Sequence, residues 1–194
     1  ASFLTNMLLA GVFYQGFQVF FLPLVNYLGV SRAALSGAFT LRQLETGLIG
    51  PVLGFAVDRA DVRKIILAGG LIVGVGMVVM SQLTSLWMFY VILLLSSAGS
   101  SGVSHGITWP LVISRWFRRK RGRALGIGTS GPVLSGLIIM AMTIIVQDLG
   151  WRWGLFIAGT SVCIITVPMS MVAAKSPEIY GLLPDGDKRS EERR

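Results

Sequence analysis

The stretch IILAGGLIVGVGMVVMSQLTSLWMFYVILLLSSAGSSGVSHGITWPLVIS, residues 65–114, decides the fold because it contains no Asp, Glu, Lys or Arg. A membrane-spanning α-helix needs about 20 mostly apolar residues, so a stretch of this length has room for two. The polar run SQLTS at 81–85 predicts the turn between them. The stretch therefore predicts membrane helices over residues 65–82 and 87–113.

Three further stretches, 1–31, 124–147 and 153–174, also lack charged residues, and each predicts one helix. Ser31 is a suitable N-cap for another helix that reaches Val57. The sequence thus predicts an all-α membrane protein in which residues 1–174 form one bundle and residues 175–194 form a cytoplasmic linker or tail. The six predicted helices cover residues 3–28, 33–57, 65–82, 87–113, 124–147 and 153–174.

The composition of the 194-residue chain agrees with a membrane protein. Hydrophobic residues make up 53% and charged residues 13%, about half the roughly 25% usual in soluble domains. This excludes intrinsic disorder and argues against a soluble enzyme. The single cysteine, Cys163, excludes a disulfide scaffold and a cysteine-based zinc site. Residues 1–31 carry no Lys or Arg and are apolar over too long a run for a signal peptide.

The distribution of Lys and Arg predicts the orientation. Segment 58–64 holds three, 115–123 six and 175–194 five, whereas Arg32, Arg42 and Arg152 are all that the alternate connections hold. Basic loops remain in the cytoplasm, so both termini are predicted to be cytoplasmic and the protein to lie in the inner or plasma membrane. The net charge of +8 and the run RRKR at 118–121 are explained in this way, and we expect no nucleic-acid partner.

The junction after the second predicted helix reads GFAVDRADVRK, residues 54–64. It resembles the cytoplasmic loop G-x-x-x-D-R-x-G-x-R-K of the major facilitator superfamily, although an ordinary charged loop is the alternative. Asp61 stands where that family has glycine. Because Asp tolerates left-handed backbone geometry, the turn is expected to survive with an added negative charge. The resemblance implies a cytoplasmic latch between two halves of a transporter, formed by Gly54, Asp58, Arg59, Arg63 and Lys64.

Two more stretches narrow the resemblance. RWFRRKRGRALGI at 115–127 resembles the loop into the fifth helix of the monocarboxylate and oxalate–formate transporters, and PEIYGLLPDG at 177–186 is similar to the segment after their sixth helix. The resemblance implies the N-terminal six-helix half, with an inverted three-plus-three repeat, of a twelve-helix protein. GPVLSG at 131–136 resembles an element of the antiporters, with Ser135 replacing a glycine. The packing and kink positions in this helix are Gly126, Gly131, Pro132 and Gly136.

The second predicted helix carries an intramembrane charge pair. Arg42 and Glu45 are three residues apart and hence on one face. Our hypothesis is that Arg42 receives a substrate carboxylate, because its parallel donors match two oxygens, while Glu45 pairs with it or takes a proton. The alternative is that the helix begins later and leaves Arg42 at the outer surface. A stripe of Gly47, Gly50 and Gly54 predicts a packing face.

Polar residues of the first and fourth helices are further candidates for the substrate cavity. Helical spacing places Gly11, Tyr14 and Gln18 on one face of the first helix, and Ser97, Ser101, Ser104 and Thr108 on one face of the fourth. These hydroxyls either line the cavity or bond to their own helix. The opposite face of the fourth helix holds Gly99, Gly102 and Gly106. His105, the only histidine, either carries a proton or makes a neutral interhelical hydrogen bond, and Trp109 lies one turn beyond it.

The sequence contains no catalytic constellation, so we expect no enzyme activity, no cofactor and no metal. The pattern and the resemblance together predict half of a secondary transporter. It moves a small organic anion such as a monocarboxylate by alternating access, with proton symport or antiport, and its partner is a second six-helix bundle. The alternative is an isolated bundle that does not transport alone and acts only by assembling with a second bundle. A six-helix membrane enzyme is a third alternative, but this sequence lacks the residues that catalysis would need.

Overall fold

The computed structural model describes residues 1–59, 61–103, 108–117 and 119–172, and every regular element in these ranges is helical. The predicted tail, 175–194, lies outside them. A π-helical turn, Ala10–Tyr14, separates the first two α-helices, and a 3-10 turn, Gly131–Leu134, separates the seventh and eighth. The α-helices are α1 Ser2–Leu9, α2 Gln18–Leu28, α3 Arg32–Arg59, α4 Val62–Met80, α5 Leu86–Val103, α6 Thr108–Trp116, α7 Arg121–Thr129, α8 Ser135–Leu149 and α9 Trp151–Val172.

Five helical segments of the described residues are long and apolar enough to cross a membrane: Ser2–Leu28, Val62–Met80, Leu86–Trp116, of which residues 104–107 are not described, Arg121–Leu149 and Trp151–Val172. The one remaining predicted span, residues 33–57, corresponds to α3. With 28 residues it is about 42 Å long, which exceeds the hydrocarbon core. Its central polar residues, Arg42 and Glu45 among them, lower its apolar content, so a membrane location for α3 remains a prediction.

Helix ends differ from the prediction where capping decides them. Ser31 caps α3 as expected, since its Oγ accepts a hydrogen bond from the Ala34 amide at 3.1 Å. α4 begins at Val62 rather than at the predicted residue 65 because Asp61 Oδ1 accepts from the Arg63 amide at 3.1 Å. Charged residues therefore continue a helix beyond its apolar part, because the cap and not the last apolar residue fixes the end.

Two helices predicted to be continuous are broken side by side. The π-helical turn interrupts the predicted helix 3–28, and the 3-10 turn at Gly131–Leu134 interrupts the predicted helix 124–147. A Cβ atom on Gly11 would lie 2.6 Å from Ile138 Cβ, and one on Gly131 would lie 2.4 Å from the Phe3 carbonyl oxygen. The missing side chains thus allow the two broken regions to pack backbone against backbone.

α4 is the central packing element of the described chain, in contact with both α5 and α9. Glycines make these contacts close. A Cβ on Gly69 would lie 2.4 Å from the Gly99 carbonyl oxygen, and one on Gly159 would lie 2.4 Å from that of Gly74. Gly99 belongs to the glycine face predicted on the fourth helix, and at Gly99 this face packs closely against α4. Such approach of two backbones is the usual use of small residues between membrane helices.

The glycine stripe of α3 packs against none of the described residues. Nothing of the structure lies within 4 Å of a Cβ built on Gly47, Gly50 or Gly54, so the packing face predicted there has no partner among the described residues. Leu48 on the same helix is 77% exposed. Gly126 and Gly136, in α7 and α8, are equally open. The edges of the bundle at α3 and at α7–α8 thus present small residues outward.

Candidate substrate-binding site

Arg42 is buried among aromatic rings near the middle of α3, only 7% exposed. Its guanidinium carbon lies 4.5 Å from the centroid of the Phe13 ring and 4.7 Å from that of Tyr14. Both rings belong to the π-helical turn, which aims them at α3. The negative faces of the rings stabilise the cation without consuming all of its hydrogen-bond donors. The helix does not begin later than predicted, since α3 starts at Arg32 and Arg42 is enclosed more than one-third of the way along it.

Glu45 lies one turn further along the same face of α3, close to Arg42 and to Ser97. Its Oε2 atom is enclosed and has no hydrogen-bond partner among the described residues. The hydroxyl of Ser97, a residue only 1% exposed, is enclosed and unpartnered in the same way. Enclosed polar atoms without partners are costly, and they mark places where a ligand, a proton or water completes the bonding.

The predicted hydroxyl face of the fourth helix divides in the structure. Ser101 Oγ donates to the Ser97 carbonyl at 3.2 Å and Thr108 Oγ1 donates to the Gly102 carbonyl at 2.8 Å. Ser101 therefore bonds to the preceding turn of its own helix, as one of the two alternatives expected, whereas Thr108, at the start of α6, bonds to α5. Ser100, which the helical spacing did not single out, instead lies 3.0 Å from the Tyr14 hydroxyl. It joins α5 to the π-helical turn beside Arg42.

Other predicted cavity residues lie in different surroundings. Gln18 is exposed at the start of α2, because the π-helical turn and the bend at 15–17 rotate it away from the face of Tyr14. Trp109 is 2% exposed and its Nε1 atom has no hydrogen-bond partner among the described residues. His105 and Ser104 lie outside the described residues. The structure thus brings together Tyr14, Arg42, Glu45 and Ser97, and adds Phe13 and Ser100.

A polar contact that the sequence analysis missed joins the two broken helices. Ser135 Oγ lies 2.7 Å from Gln15 Oε1 and 2.6 Å from the Pro132 carbonyl, so its hydrogen can go to either oxygen. Nearby, Asn6 Nδ2 donates to the Gly128 carbonyl at 3.0 Å. The signal was present in the sequence, since Asn6 and Gln15 are polar residues within a charge-free apolar stretch.

The predicted latch shows a different role for Asp61. Its backbone is extended, with φ −73° and ψ 120°, and its side chain caps α4. The expected left-handed turn at this position is wrong, because capping a helix start requires the extended region. Arg59 stacks its guanidinium over Phe55 at 3.5 Å, Gly54 is open, and Lys64 is exposed. The Asp58 side chain lies outside the described part of the chain.

Apolar helical segments long enough to span a bilayer, packed through glycines around an enclosed arginine–aromatic–hydroxyl cluster, define a polytopic membrane protein with a polar site in its interior. The family model of the Major Facilitator Superfamily matches residues 3–190. The chain belongs to the Major Facilitator Superfamily.

Known relatives of the chain are transporters. It is 32% identical over 146 residues to the oxalate:formate antiporter of Oxalobacter formigenes, and the aligned residues make up 74% of this chain and 34% of that relative. It is 26% identical over 151 residues to monocarboxylate transporter 4 of Gallus gallus, covering 76% and 31%. It is 25% identical over 167 residues to the MFS-type transporter YcxA of Bacillus subtilis, covering 85% and 41%. The chain thus spans between 31% and 41% of the length of these relatives.

Proposed function

We propose that this chain forms the first six-helix half of a secondary transporter that moves a small organic anion, such as a monocarboxylate, by alternating access. The observation that carries the proposal is the enclosed guanidinium of Arg42 near the middle of α3. A charged side chain within a membrane bundle is expensive and marks a substrate or ion pathway. The names of the oxalate:formate and monocarboxylate relatives support a carboxylate as the substrate.

Arg42 is the carboxylate-binding residue of this proposal. Its flat fork of N–H donors matches the two oxygens of a carboxylate. Phe13 and Tyr14 hold the guanidinium by their ring faces, and Ser97 and Ser100 offer hydroxyls beside it. Gln18, Ser101, His105 and Trp109 are the outer candidates for the lining.

Glu45 is the proton-binding candidate. The lone enclosed oxygen of Glu45, near Ser97 and Arg42, supports a carboxyl group that gains and loses a proton as the substrate comes and goes. A neutral Glu45 leaves Arg42 free to attract an anion, whereas a charged Glu45 competes for it. Proton symport and exchange of two anions both use this competition, and they differ in whether the proton crosses with the substrate.

The topology of the proposal has six membrane helices, the five apolar segments and α3, with both termini in the cytoplasm. The excess of Lys and Arg in 58–64 and 115–123 supports this orientation. It places the protein in the inner or plasma membrane, with Gly54, Asp58, Arg59, Arg63 and Lys64 as the cytoplasmic latch. Residues 175–194 then continue into the cytoplasm.

A second bundle completes the cavity. The open glycines of α3 and of α7–α8 support two docking edges on one bundle, and the chain spans less than half of its relatives. The second bundle comes either from the same polypeptide or from another chain. In the second case the six-helix bundle acts only by assembling. The mass of the polypeptide purified from native membranes decides between these, because a single chain near twice 20.9 kDa contains both halves.

The test is uptake by the native full-length protein in proteoliposomes, with labelled formate, oxalate and acetate as probes. We expect the wild type to take up or exchange at least one of them. Arg42→Gln abolishes uptake while the protein stays folded, and Arg42→Lys keeps a reduced rate because the charge remains without the fork. Arg32→Gln, an exposed arginine of the same helix, is the matched control. Unchanged uptake by Arg42→Gln contradicts the role of Arg42, and no uptake of any probe by the wild type contradicts the proposal.

A further inference from the structure

A cavity lies where the turn after α4 meets the start of α9, at chain positions far from Arg42 and Glu45. Its volume is about 570 Å³, and it is lined by Ser81, Gln82, Thr84, Arg152, Trp153 and Phe156. The connection between α2 and α3 reaches the same end of the molecule, since Tyr27 contacts both Trp151 and Arg152. The cavity therefore lies at the ends of two segments that are long and apolar enough to span a membrane, Val62–Met80 and Trp151–Val172, where we expect the bilayer to give way to water.

The guanidinium of Arg152 is held in place at this cavity. Its Nη2 donates to the Tyr27 hydroxyl at 2.7 Å. Its central carbon lies 4.9 Å from the centroid of the Tyr27 ring and 5.3 Å from that of Trp151. These partners orient the cation but carry no negative charge. No carboxylate of the described residues neutralises Arg152, and an oriented guanidinium with donors to spare is well suited to a phosphate group.

The flank of the cavity is apolar and exposed. Trp153 is 58% and Phe156 is 43% exposed, and their rings pack edge to face with centroids 5.8 Å apart. Aromatic rings at a helix end are typical of the boundary between lipid and water. Phe156 continues the flank toward the apolar part of α9, so an occupant of the cavity meets charge at one end and hydrocarbon at the other.

We propose that this cavity binds one membrane phospholipid, with the phosphodiester on Arg152, the ester region beside Gln82 and Thr84, and the acyl chains along Trp153 and Phe156. A free inorganic anion satisfies Arg152 but leaves the exposed rings uncovered, whereas a neutral lipid covers the rings but leaves the cation unpaired. A phospholipid satisfies both features at once. The site is independent of the substrate and coupling proposed above.

The test is native mass spectrometry of the full-length protein in mild detergent, with phosphatidylglycerol, phosphatidylethanolamine and diacylglycerol as probes. We expect the wild type to retain one more phospholipid than Arg152→Gln, whose affinity falls about tenfold because a charge-assisted contact is lost. Glutamine can still bond to Tyr27, so the local fold is preserved. Arg152→Lys retains part of the affinity because the charge remains. Arg32→Gln, at the same end of the molecule, binds like the wild type.

Three outcomes overturn this proposal. One is equal phospholipid retention by the wild type and Arg152→Gln. Another is equal retention of diacylglycerol and phospholipid by the wild type, which leaves only an apolar contact. The third is displacement of the phospholipid by millimolar inorganic phosphate, which identifies a free-anion site. Tyr27→Phe refines the assignment, since it keeps the ring but removes the hydroxyl that orients Arg152. We expect this variant to bind the phospholipid several-fold more weakly.

Discussion

Two regions of this molecule use glycine in opposite ways. Where α4 packs against α9, the neighbouring helix occupies the space beside each glycine. A Cβ on Gly159 would lie 2.4 Å from the Gly74 carbonyl oxygen. On α3, by contrast, no atom of the described residues lies within 4 Å of a Cβ on Gly50. The sequence pattern of the two stripes is alike. The difference teaches that a glycine stripe identifies a contact surface without identifying the partner, which is this chain in one region and, we propose, a second bundle in the other.

The largest expected effect on stability comes from adding a side chain at the contact between α4 and α9. Gly159→Leu places a side chain against the Gly74 carbonyl and the Val78 amide, which are backbone atoms and cannot move aside. We expect the free energy of unfolding to fall by about 3 kcal/mol or more, because overpacked cores must shift whole helices. Thermal denaturation of the purified protein in detergent measures this. Gly122→Leu, at an exposed position with no described atom within 4 Å of its Cβ, is the control, and equal stability of the two variants contradicts the packing described.

An intermediate effect is expected from filling the open region. The Gly50→Leu side chain meets no neighbour in the part of the chain that the structure describes. The free energy of unfolding of the bundle should therefore stay within about 1 kcal/mol of the wild type, with a small gain from the better helix propensity. If a second bundle docks there, anion uptake by the full-length protein falls at least about tenfold, since a bulky residue separates the helices. Uptake equal to that of the wild type shows that this face meets lipid instead.

The smallest effect concerns the start of the packed helix α4. Asp61→Ala removes the cap on the Arg63 amide and should lower the free energy of unfolding by about 1 kcal/mol. Asp61→Gly, which restores the residue of the family pattern, should cost only a few tenths of a kcal/mol, because glycine is itself an acceptable N-cap. Chemical denaturation of both variants under the same conditions compares them. A larger loss for Asp61→Gly than for Asp61→Ala contradicts the capping role.

The positions of charged residues were sufficient to predict an all-helical membrane protein, because the cost of charge in a bilayer is large and depends little on tertiary context. The position of Arg42 and Glu45 on one face of α3 also followed from their spacing alone. The structure adds that Arg42 is enclosed by Phe13 and Tyr14. That contact depends on the π-helical turn, which packs against α8 and needs glycine at residue 16, where a Cβ atom would overlap the Gly11 carbonyl oxygen.

The same turn explains what the helical spacing missed. Counting about 100° per residue assumes an unbroken α-helix, and this assumption fails between Ala10 and Phe17. Gln15 and Gln18 are both exposed, and it is Gln15 that meets Ser135, a contact the unbroken-helix count did not predict. Ser100 was missed because it lies at the edge of the hydroxyl face, and only the position of Tyr14 makes it part of the site.

The length of α3 has a consequence for how the protein responds to its bilayer. Its 28 residues extend about 42 Å, whereas a hydrocarbon core is about 30 Å thick. Once α3 crosses the bilayer, as we propose, it must tilt or project, and a thinner membrane demands more tilt. Tilting displaces both ends sideways but leaves the midpoint, where Glu45 lies, at nearly constant depth. The helical turn that carries Arg42 and Glu45 is then the point about which α3 pivots, and membrane thickness sets the tilt angle of the helix.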